Sequence, residues 1–119
     1  MKKKILICDD DEGILEMLEM VLDGDGYEVL TVKNSLKIFD CIKQEHPDML
    51  ILDLWMPVLS GDQIAIKLRS TPDYKNLPIM IMSASRDGEE IAKAVSASSY
   101  LSKPFDLTDF LVEVEKLSA

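Results

Sequence analysis

The sequence predicts a doubly wound α/β fold, with helices on both faces of a five-stranded, mainly parallel sheet. Short apolar runs alternate with stretches of helical spacing five times along the chain. Most of these runs are continuously apolar, which is typical of strands that are covered on both faces. The 119 residues, 47% of them hydrophobic, suffice for one buried core, so residues 1–119 are predicted to form a single domain.

The five strands are expected at the short apolar runs. Strands that alternate with helices are joined by right-handed crossovers, so the strands are expected to run parallel. Pro47 and Pro78 exclude helix just before the third and fourth strands. The predicted strands are Ile5–Cys8, Glu28–Val32, Met49–Leu52, Ile79–Met82 and Tyr100–Leu101.

The first and last helices have the clearest apolar faces, because their hydrophobic residues recur at helical spacing. Residues 24–26, Gly-Asp-Gly, are expected to end the first helix. Ser35 is expected to cap the second helix and Asp106 the last. The predicted faces are Ile14, Met17, Leu18, Val21 and Leu22 in the first helix, and Leu107, Phe110, Leu111, Val114 and Leu117 in the last.

Charge and composition exclude several classes of partner. The chain has 13 Lys and Arg against 22 Asp and Glu, a formal net charge of −9, which opposes direct binding to nucleic acid or to an anionic membrane. No apolar stretch has the length of a signal peptide or a membrane span, so a cytoplasmic location is predicted. Cys8 and Cys41 lack the spacing of zinc or redox motifs and are interpreted as small buried hydrophobic residues. His46 is interpreted as a cap or surface residue.

Acidic residues follow two of the predicted strands. In the flavodoxin-like strand order 2-1-3-4-5, strands one and three border the crevice where ligands bind. Asp9, Asp10 and Asp11 follow strand one, and Asp53 follows strand three. Carboxylates crowded at this edge require a cation, and an all-oxygen set suits Mg²⁺ or Mn²⁺, so Asp9, Asp10 and Asp53 are candidate metal ligands. The alternative is that each aspartate only caps a strand end or the following helix.

A hydroxyl and an ammonium group are expected at the same edge of the sheet. Ser83 follows the fourth strand, and Lys103 follows the fifth. Together with a metal ion they would stabilise the charge on the oxygens of a phosphoryl group. Asp53 is then the candidate nucleophile, since a carboxylate can attack phosphorus. The plain alternatives are a solvated surface lysine at residue 103 and a strand-end hydroxyl at residue 83.

Four segments follow one another along the chain: ILICDDD, LILDLWMP followed by Gly61, IMIMSA, and YLSKPF. Taken together, they resemble the signatures of response-regulator receiver domains over essentially the whole chain. Their order and spacing carry the resemblance, because none of them is specific alone. It implies that Asp53 is the phosphoacceptor, Asp10 a direct metal ligand, Asp9 a ligand acting partly through water, the Trp55 carbonyl a further ligand, and Ser83 and Lys103 the phosphate contacts.

The resemblance also implies a donor, a switch and a partner surface. The donor would be a phosphohistidine on a sensor histidine kinase or a phosphotransfer protein, and the receiver would catalyse the transfer itself without being a turnover enzyme. On phosphorylation Ser83 would turn toward the new group, and Tyr100 would move inward behind it. The surface formed by helix four, strand five and helix five would then change for a downstream protein. Phosphorylation-driven homodimer formation is left open.

Several positions depart from the family pattern. Trp55 and Ser85 lie where the family tunes the approach of the hydrolytic water. A bulky Trp55 is hypothesised to lengthen the lifetime of the phosphorylated state, and the alternative is an exposed aromatic for partner docking. Ser96 and Ser99 stand where the family often has glycine, so the turn before strand five is expected to differ.

Two other functions compete with this interpretation. A phosphatase of the haloacid dehalogenase type also uses an aspartate nucleophile, but it needs a second aspartate where this chain has Trp55. A phosphorylation-independent, receiver-like interaction module would use the acidic crevice only for metal binding or capping. Because the last helix is expected to end near Leu117, no output domain is predicted in this chain.

Overall fold

The computed structural model describes residues 2–119 and has the predicted doubly wound architecture. One sheet contains five parallel strands in the order β2-β1-β3-β4-β5. Each strand matches its predicted range or is longer by one residue at one or both ends. The strands β1, β3 and β4 are almost wholly buried. Their bounds are β1 Lys4–Cys8, β2 Glu28–Val32, β3 Met49–Asp53, β4 Ile79–Ser83 and β5 Ser99–Ser102.

A helix follows each strand, as the alternating pattern predicts. A short 3₁₀ helix at Ser35–Lys37 precedes the second α-helix. Within residues 2–119, no helix combines the length and the apolar character that crossing a bilayer requires. The α-helices are α1 Glu12–Gly24, α2 Ile38–Glu45, α3 Gly61–Arg69, α4 Gly88–Ala94 and α5 Leu107–Ser118.

The register of the sheet brings the ends of its central strands level. Cys8 of β1 pairs with Leu52 of β3, and Asp53 pairs with Met82 of β4. The residues that follow these positions therefore leave the sheet at one edge. This carboxyl edge is the place where a parallel doubly wound sheet forms ligand sites.

Successive strand residues supply two separate cores, one on each face of the sheet. Leu6 packs with residues of α2, α3 and α4, whereas Ile5 and Ile7 pack with residues of α1 and α5. Phe110 of α5 is completely buried in the second core. Truncating a buried aromatic of this size costs about 3–5 kcal/mol, so Phe110 contributes strongly to holding α5 on the sheet.

The buried face of α1 is rotated from the prediction. Leu15, Leu18 and Leu22 are buried, while Met17 is 40% exposed, so its assignment to the apolar face was wrong. The i, i+3, i+7 spacing of the three leucines describes the contact with the sheet better than the broader set did. Leu107 at the start of α5 is also 40% exposed.

The predicted caps are confirmed at α5 and corrected at α2. The Asp106 carboxylate accepts hydrogen bonds from the backbone N–H groups of Thr108 and Asp109. Ser35 does not cap α2, because the 3₁₀ helix precedes it and the Asn34 side chain caps that helix. The buried Ser35 hydroxyl instead donates to the carbonyl of Pro57 at 3.0 Å.

Helix ends account for the remaining sequence signals. The α1 helix ends at Gly24, and Gly26 has a positive φ of 92°. His46 caps α2 in the left-handed conformation, with φ 50°, as expected of a cap residue. Ser96 adopts φ 59° after α4, so a non-glycine residue supports the turn before β5. Cys8 is fully buried, as predicted. Cys41 is only half-buried and packs against the first core, so the prediction of full burial was wrong for it.

Candidate functional site

Three carboxylates converge at the carboxyl edge of the sheet. One oxygen each of Asp9, Asp10 and Asp53 lies within 4.8 Å of the others. Asp9 is 1% exposed and Asp53 7%, whereas Asp10 is open to solvent. Asp9 Oδ1 accepts a hydrogen bond from the backbone N–H of Asp11 at 2.9 Å. The sequence therefore predicted a cluster that the fold assembles.

Lys103 places its ammonium between two of these carboxylates. Its Nζ lies 2.8 Å from Asp53 Oδ1 and 3.1 Å from Asp9 Oδ2. The Lys103 backbone N–H also donates to the carbonyl of Ser83 at 2.8 Å, which fixes the residue against the end of β4. The solvated surface lysine considered as an alternative is therefore not what the structure contains. Three carboxylates and one ammonium leave a net charge of −2 when all four groups are ionised.

The pKa shifts reflect this imbalance of charge. Burial raises the pKa of Asp53; the hydrogen bond from Lys103 lowers it and the charge of Asp9 raises it, and the net shift is upward. Burial alone would lower the pKa of Lys103, but its hydrogen bond with Asp53 and the charge of Asp9 raise it on balance. The lysine therefore stays charged at neutral pH. Its single positive charge does not balance the negative charges of the three clustered carboxylates.

The donor set fits a hard divalent cation. The three clustered groups offer only carboxylate oxygens, which are the ligands that Mg²⁺ and Mn²⁺ prefer. Cys8 precedes Asp9, but burial, together with the charge of Asp9, raises the pKa of its thiol to about 12. A neutral buried thiol is a poor metal ligand, and it contacts the sulfur of Met56 at 3.6 Å. The site is therefore suited to an oxygen-bound ion rather than to zinc.

A second group of predicted residues surrounds the end of β4. Ser83 is 1% exposed, and its Oγ lies 2.8 Å from the Ser85 hydroxyl and 3.0 Å from the Ser85 backbone nitrogen. The Tyr100 hydroxyl donates to the carbonyl of Ser83 at 3.1 Å and to that of Ser85 at 3.4 Å. Tyr100 is thus turned toward β4 and half-buried, and its movement on phosphorylation stays a prediction.

Two glycines shape the site in ways that sequence reasoning missed. A Cβ atom on Gly61 would lie 2.5 Å from the backbone oxygen of Asp53, so the chain after the acceptor can pass this close only with glycine there. A Cβ atom on Gly88 would lie 2.5 Å from the Tyr100 hydroxyl oxygen. Gly61 was noted as part of a motif but not for this contact. No sequence signal identifies the Gly88 contact, because it depends on where the Tyr100 ring lies.

Trp55 follows the site but is not enclosed by it. Its side chain is 55% exposed, which is compatible with both roles considered for it. The predicted part of its carbonyl in metal binding, and the predicted effect of its ring on the lifetime of a phosphoryl group, stay predictions. The same holds for the hydrolysis-tuning role of Ser85.

The fold and the site together define the class of the protein. It is a parallel doubly wound domain in which carboxylates at the ends of β1 and β3 cluster beside a lysine that follows β5. The profile of the response regulator receiver domain family matches residues 5–115. The chain belongs to this family.

Relatives and solved structures agree with the family match. Response regulator MprA of Mycobacterium bovis is 35% identical to this chain; the match covers 98% of the chain and 51% of that protein. The response regulator signal receiver domain of Bermanella marisrubri has a TM-score of 0.91 at 28% identity, with both chains fully covered. The chemotaxis response regulator CheY4 of Vibrio cholerae has a TM-score of 0.90 at 28% identity, over 98% of this chain and 99% of that one. The chain thus spans about half the length of the curated relatives that it matches.

Proposed function

We propose that this domain accepts a phosphoryl group on Asp53 from a phosphohistidine of a sensor histidine kinase or a phosphotransfer protein. The observation that carries the proposal is the position of the Lys103 ammonium, 2.8 Å from Asp53 and 3.1 Å from Asp9. A cation held this close to a buried carboxylate can stabilise a further negative group on it. Family membership supports the same chemistry.

The transfer requires one bond to form and one to break. A carboxylate oxygen of Asp53 attacks phosphorus as the bond from phosphorus to the donor imidazole nitrogen breaks, and the imidazole leaves with that electron pair. Lys103 engages Oδ1, so we assign the attack to Oδ2. The ammonium then binds a phosphoryl oxygen and neutralises part of its charge.

A divalent cation, Mg²⁺ or Mn²⁺, would be held by Asp9, Asp10 and Asp53, with the Trp55 carbonyl as a further ligand. When bound, it reduces the repulsion between the acceptor carboxylate and the incoming phosphoryl group. The burial of Asp9 and Asp53 limits water at this position, and Lys103 orients both carboxylates. In this account the domain catalyses its own phosphorylation and dephosphorylation and is not a turnover enzyme.

The output of the domain would be a change of surface. Ser83 lies at the end of β4, and Tyr100 in β5 bonds to the same segment, so events at Asp53 can reach α4, β5 and α5. We propose this face as the binding surface for a downstream protein. Added charge need bias a two-state equilibrium by only a few kcal/mol to change its population substantially.

The proposal is tested by treating the purified domain with a small phosphodonor such as phosphoramidate, with and without Mg²⁺. Intact mass is then measured for the wild type and for Asp53→Asn. We expect a gain of one phosphoryl group in the wild type with Mg²⁺, a much smaller gain without it, and none in the variant. Asp53→Asn removes the nucleophile but keeps a side chain of the same shape.

Other outcomes favour the competing functions. No phosphorylation of a folded, Mg²⁺-bound wild type would contradict the proposal and support a phosphorylation-independent interaction module. Sustained release of inorganic phosphate from phosphomonoesters would contradict it in favour of a phosphatase.

A further inference from the structure

The end of β4 forms a hydrogen-bonded turn, here called the Ser83–Ser85 turn, which contains residues 83–85. Two hydrogen bonds join the Ser83 hydroxyl to Ser85, one at 2.8 Å to its hydroxyl and one at 3.0 Å from its backbone N–H. Within residues 2–119 the Ser83 hydroxyl makes no hydrogen bond to Asp53 or Lys103. The hydroxyl of Ser83, the last residue of β4, is therefore engaged by Ser85.

Tyr100 contacts the same turn from the adjacent strand. Its hydroxyl donates to the carbonyls of both Ser83 and Ser85, and its ring lies where a side chain on Gly88 would be. The absence of a Cβ at Gly88 allows the ring to reach the turn. The backbone of Ser85 is thus fixed from one side by Ser83 and from the other by Tyr100.

We propose that Ser85 is a positioning residue that keeps the Ser83 hydroxyl from the acceptor site until a phosphoryl group on Asp53 competes for it. The proposal rests on the proposed function, and it assigns Ser85 a role other than tuning hydrolytic water. For Ser83 to bind a phosphoryl oxygen, its hydroxyl must leave the two hydrogen bonds with Ser85. The exchange costs the Ser85 contacts and gains a charge-assisted hydrogen bond.

The burial of Ser83 makes this competition direct. At 1% exposure, its hydroxyl has little access to water and must take its partners from the protein or from a bound group. Ser85 is half-buried, and its side chain contacts Ser83 rather than the carboxylates. Removing the Ser85 hydroxyl therefore weakens the resting arrangement of Ser83 without removing any group proposed to touch the phosphoryl oxygens.

Binding of beryllofluoride, a phosphoryl mimic, tests the proposal in the presence of Mg²⁺. Affinities are measured by isothermal titration calorimetry for the wild type, Ser85→Ala, Ser85→Thr and the control Ser70→Ala. Ser70 is an exposed serine whose hydroxyl donates to the carbonyl of Lys67, far from the site. Losing one neutral hydrogen bond in the resting state is expected to tighten binding to Ser85→Ala about threefold to tenfold. Ser85→Thr keeps a hydroxyl and is expected to match the wild type, as is Ser70→Ala.

A double-mutant cycle separates competition from a purely structural role. The same titration is made with Ser83→Ala and with the double variant Ser83→Ala, Ser85→Ala. If Ser85 acts through Ser83, removing the Ser85 hydroxyl changes nothing once Ser83 lacks its own. Unchanged or weaker binding by Ser85→Ala, or an equal gain in the Ser83→Ala background, overturns the inference and leaves the proposed function intact. Failure of the wild type to bind beryllofluoride contradicts the proposed function, and this inference with it.

Discussion

The two edges of the sheet hold half-buried cations with opposite kinds of partner. At the amino edge, the Arg69 guanidinium at the end of α3 donates to backbone carbonyls, among them Leu77 at 2.7 Å and Ser96 at 2.9 Å. At the carboxyl edge, the Lys103 ammonium contacts the carboxylates of Asp9 and Asp53. One cation satisfies neutral groups, and the other faces an excess of negative charge.

The pKa shifts of the two residues differ in the same way. Burial lowers the pKa of Arg69, whose guanidinium donates to neutral carbonyl groups. The pKa of Lys103 is raised on balance, because the hydrogen bond with Asp53 and the charge of Asp9 outweigh its burial. The hydrogen bonds of the Arg69 guanidinium connect the loop after α3 with the turn before β5, so the role of Arg69 is structural. The carboxylates around Lys103 carry more negative charge than its ammonium neutralises, so this site is suited to binding a further cation.

The largest expected effect is on phosphorylation and follows the loss of the carboxyl-edge cation. Lys103→Met removes the ammonium beside Asp53, and we expect the rate of phosphorylation by phosphoramidate to fall by about 10²–10³, the usual effect of losing one preorganised charge-stabilising group. Arg69→Met is the matched control, with the same new side chain at the other edge. Time courses of intact mass, taken where both variants are folded, give the rates. A similar loss in both variants would remove the distinction between the edges.

The next effect is on stability and lies at the amino edge. Arg69→Met leaves several carbonyls without their donor, and we expect the free energy of unfolding to fall by about 2–4 kcal/mol. Urea denaturation followed by circular dichroism measures it. A change within about 0.5 kcal/mol would mean that water replaces the guanidinium and that the amino edge does not depend on Arg69.

A smaller effect of opposite sign is expected at the carboxyl edge. The folded-state pKa of Asp53 is raised, so the folded state binds more protons than the unfolded state, and its stability falls as pH rises through the folded pKa. Asp53→Asn is therefore expected to stabilise the metal-free domain at pH 7. The gain should vanish below the ordinary pKa of an aspartate, where Asp53 is protonated in both states. Urea midpoints at neutral and acidic pH compare the two proteins, and a destabilised variant at pH 7 would contradict the charge argument.

The smallest effect is that of the cation itself. Mg²⁺ at about five times its dissociation constant should raise the free energy of unfolding of the wild type by about 1 kcal/mol. Asp53→Asn removes one candidate ligand, so its response is expected to be weaker. Thermal unfolding at increasing Mg²⁺ measures both proteins, with Arg69→Met as the control that retains the acidic cluster. If Mg²⁺ stabilises the wild type and Asp53→Asn equally, Asp53 is not a ligand of the cation.

The sequence predicted the fold because its strands and strand ends are marked locally. Apolar runs as short as Met49–Leu52 are bounded by prolines and aspartates, and parallel topology then brings Asp9 and Asp53 to one edge. The helix faces were harder to predict. Met17 has the spacing of a buried residue, but Leu15 is buried in its place.

Contacts between elements could not be predicted in the same way. The prediction that Ser35 caps α2 was wrong for two reasons. Asn34, one residue earlier, can also cap a helix, and the Pro57 carbonyl that Ser35 contacts is within reach only in the folded chain. The contact of Gly88 with the Tyr100 ring likewise joins segments that no local pattern relates. Carboxylates and lysines at strand ends can be predicted from sequence, whereas the hydrogen bonds that hold a serine or tyrosine depend on side-chain placement.

Locating the phosphoryl group in the chain shows whether Asp53 is the residue that receives it. The phosphodonor-treated wild type is reduced with borohydride, which converts an aspartyl phosphate to homoserine, and its peptides are sequenced by mass spectrometry. We expect homoserine at residue 53 and at none of the other aspartates. Unmodified residue 53, or homoserine at Asp9 or Asp10 instead, would contradict it.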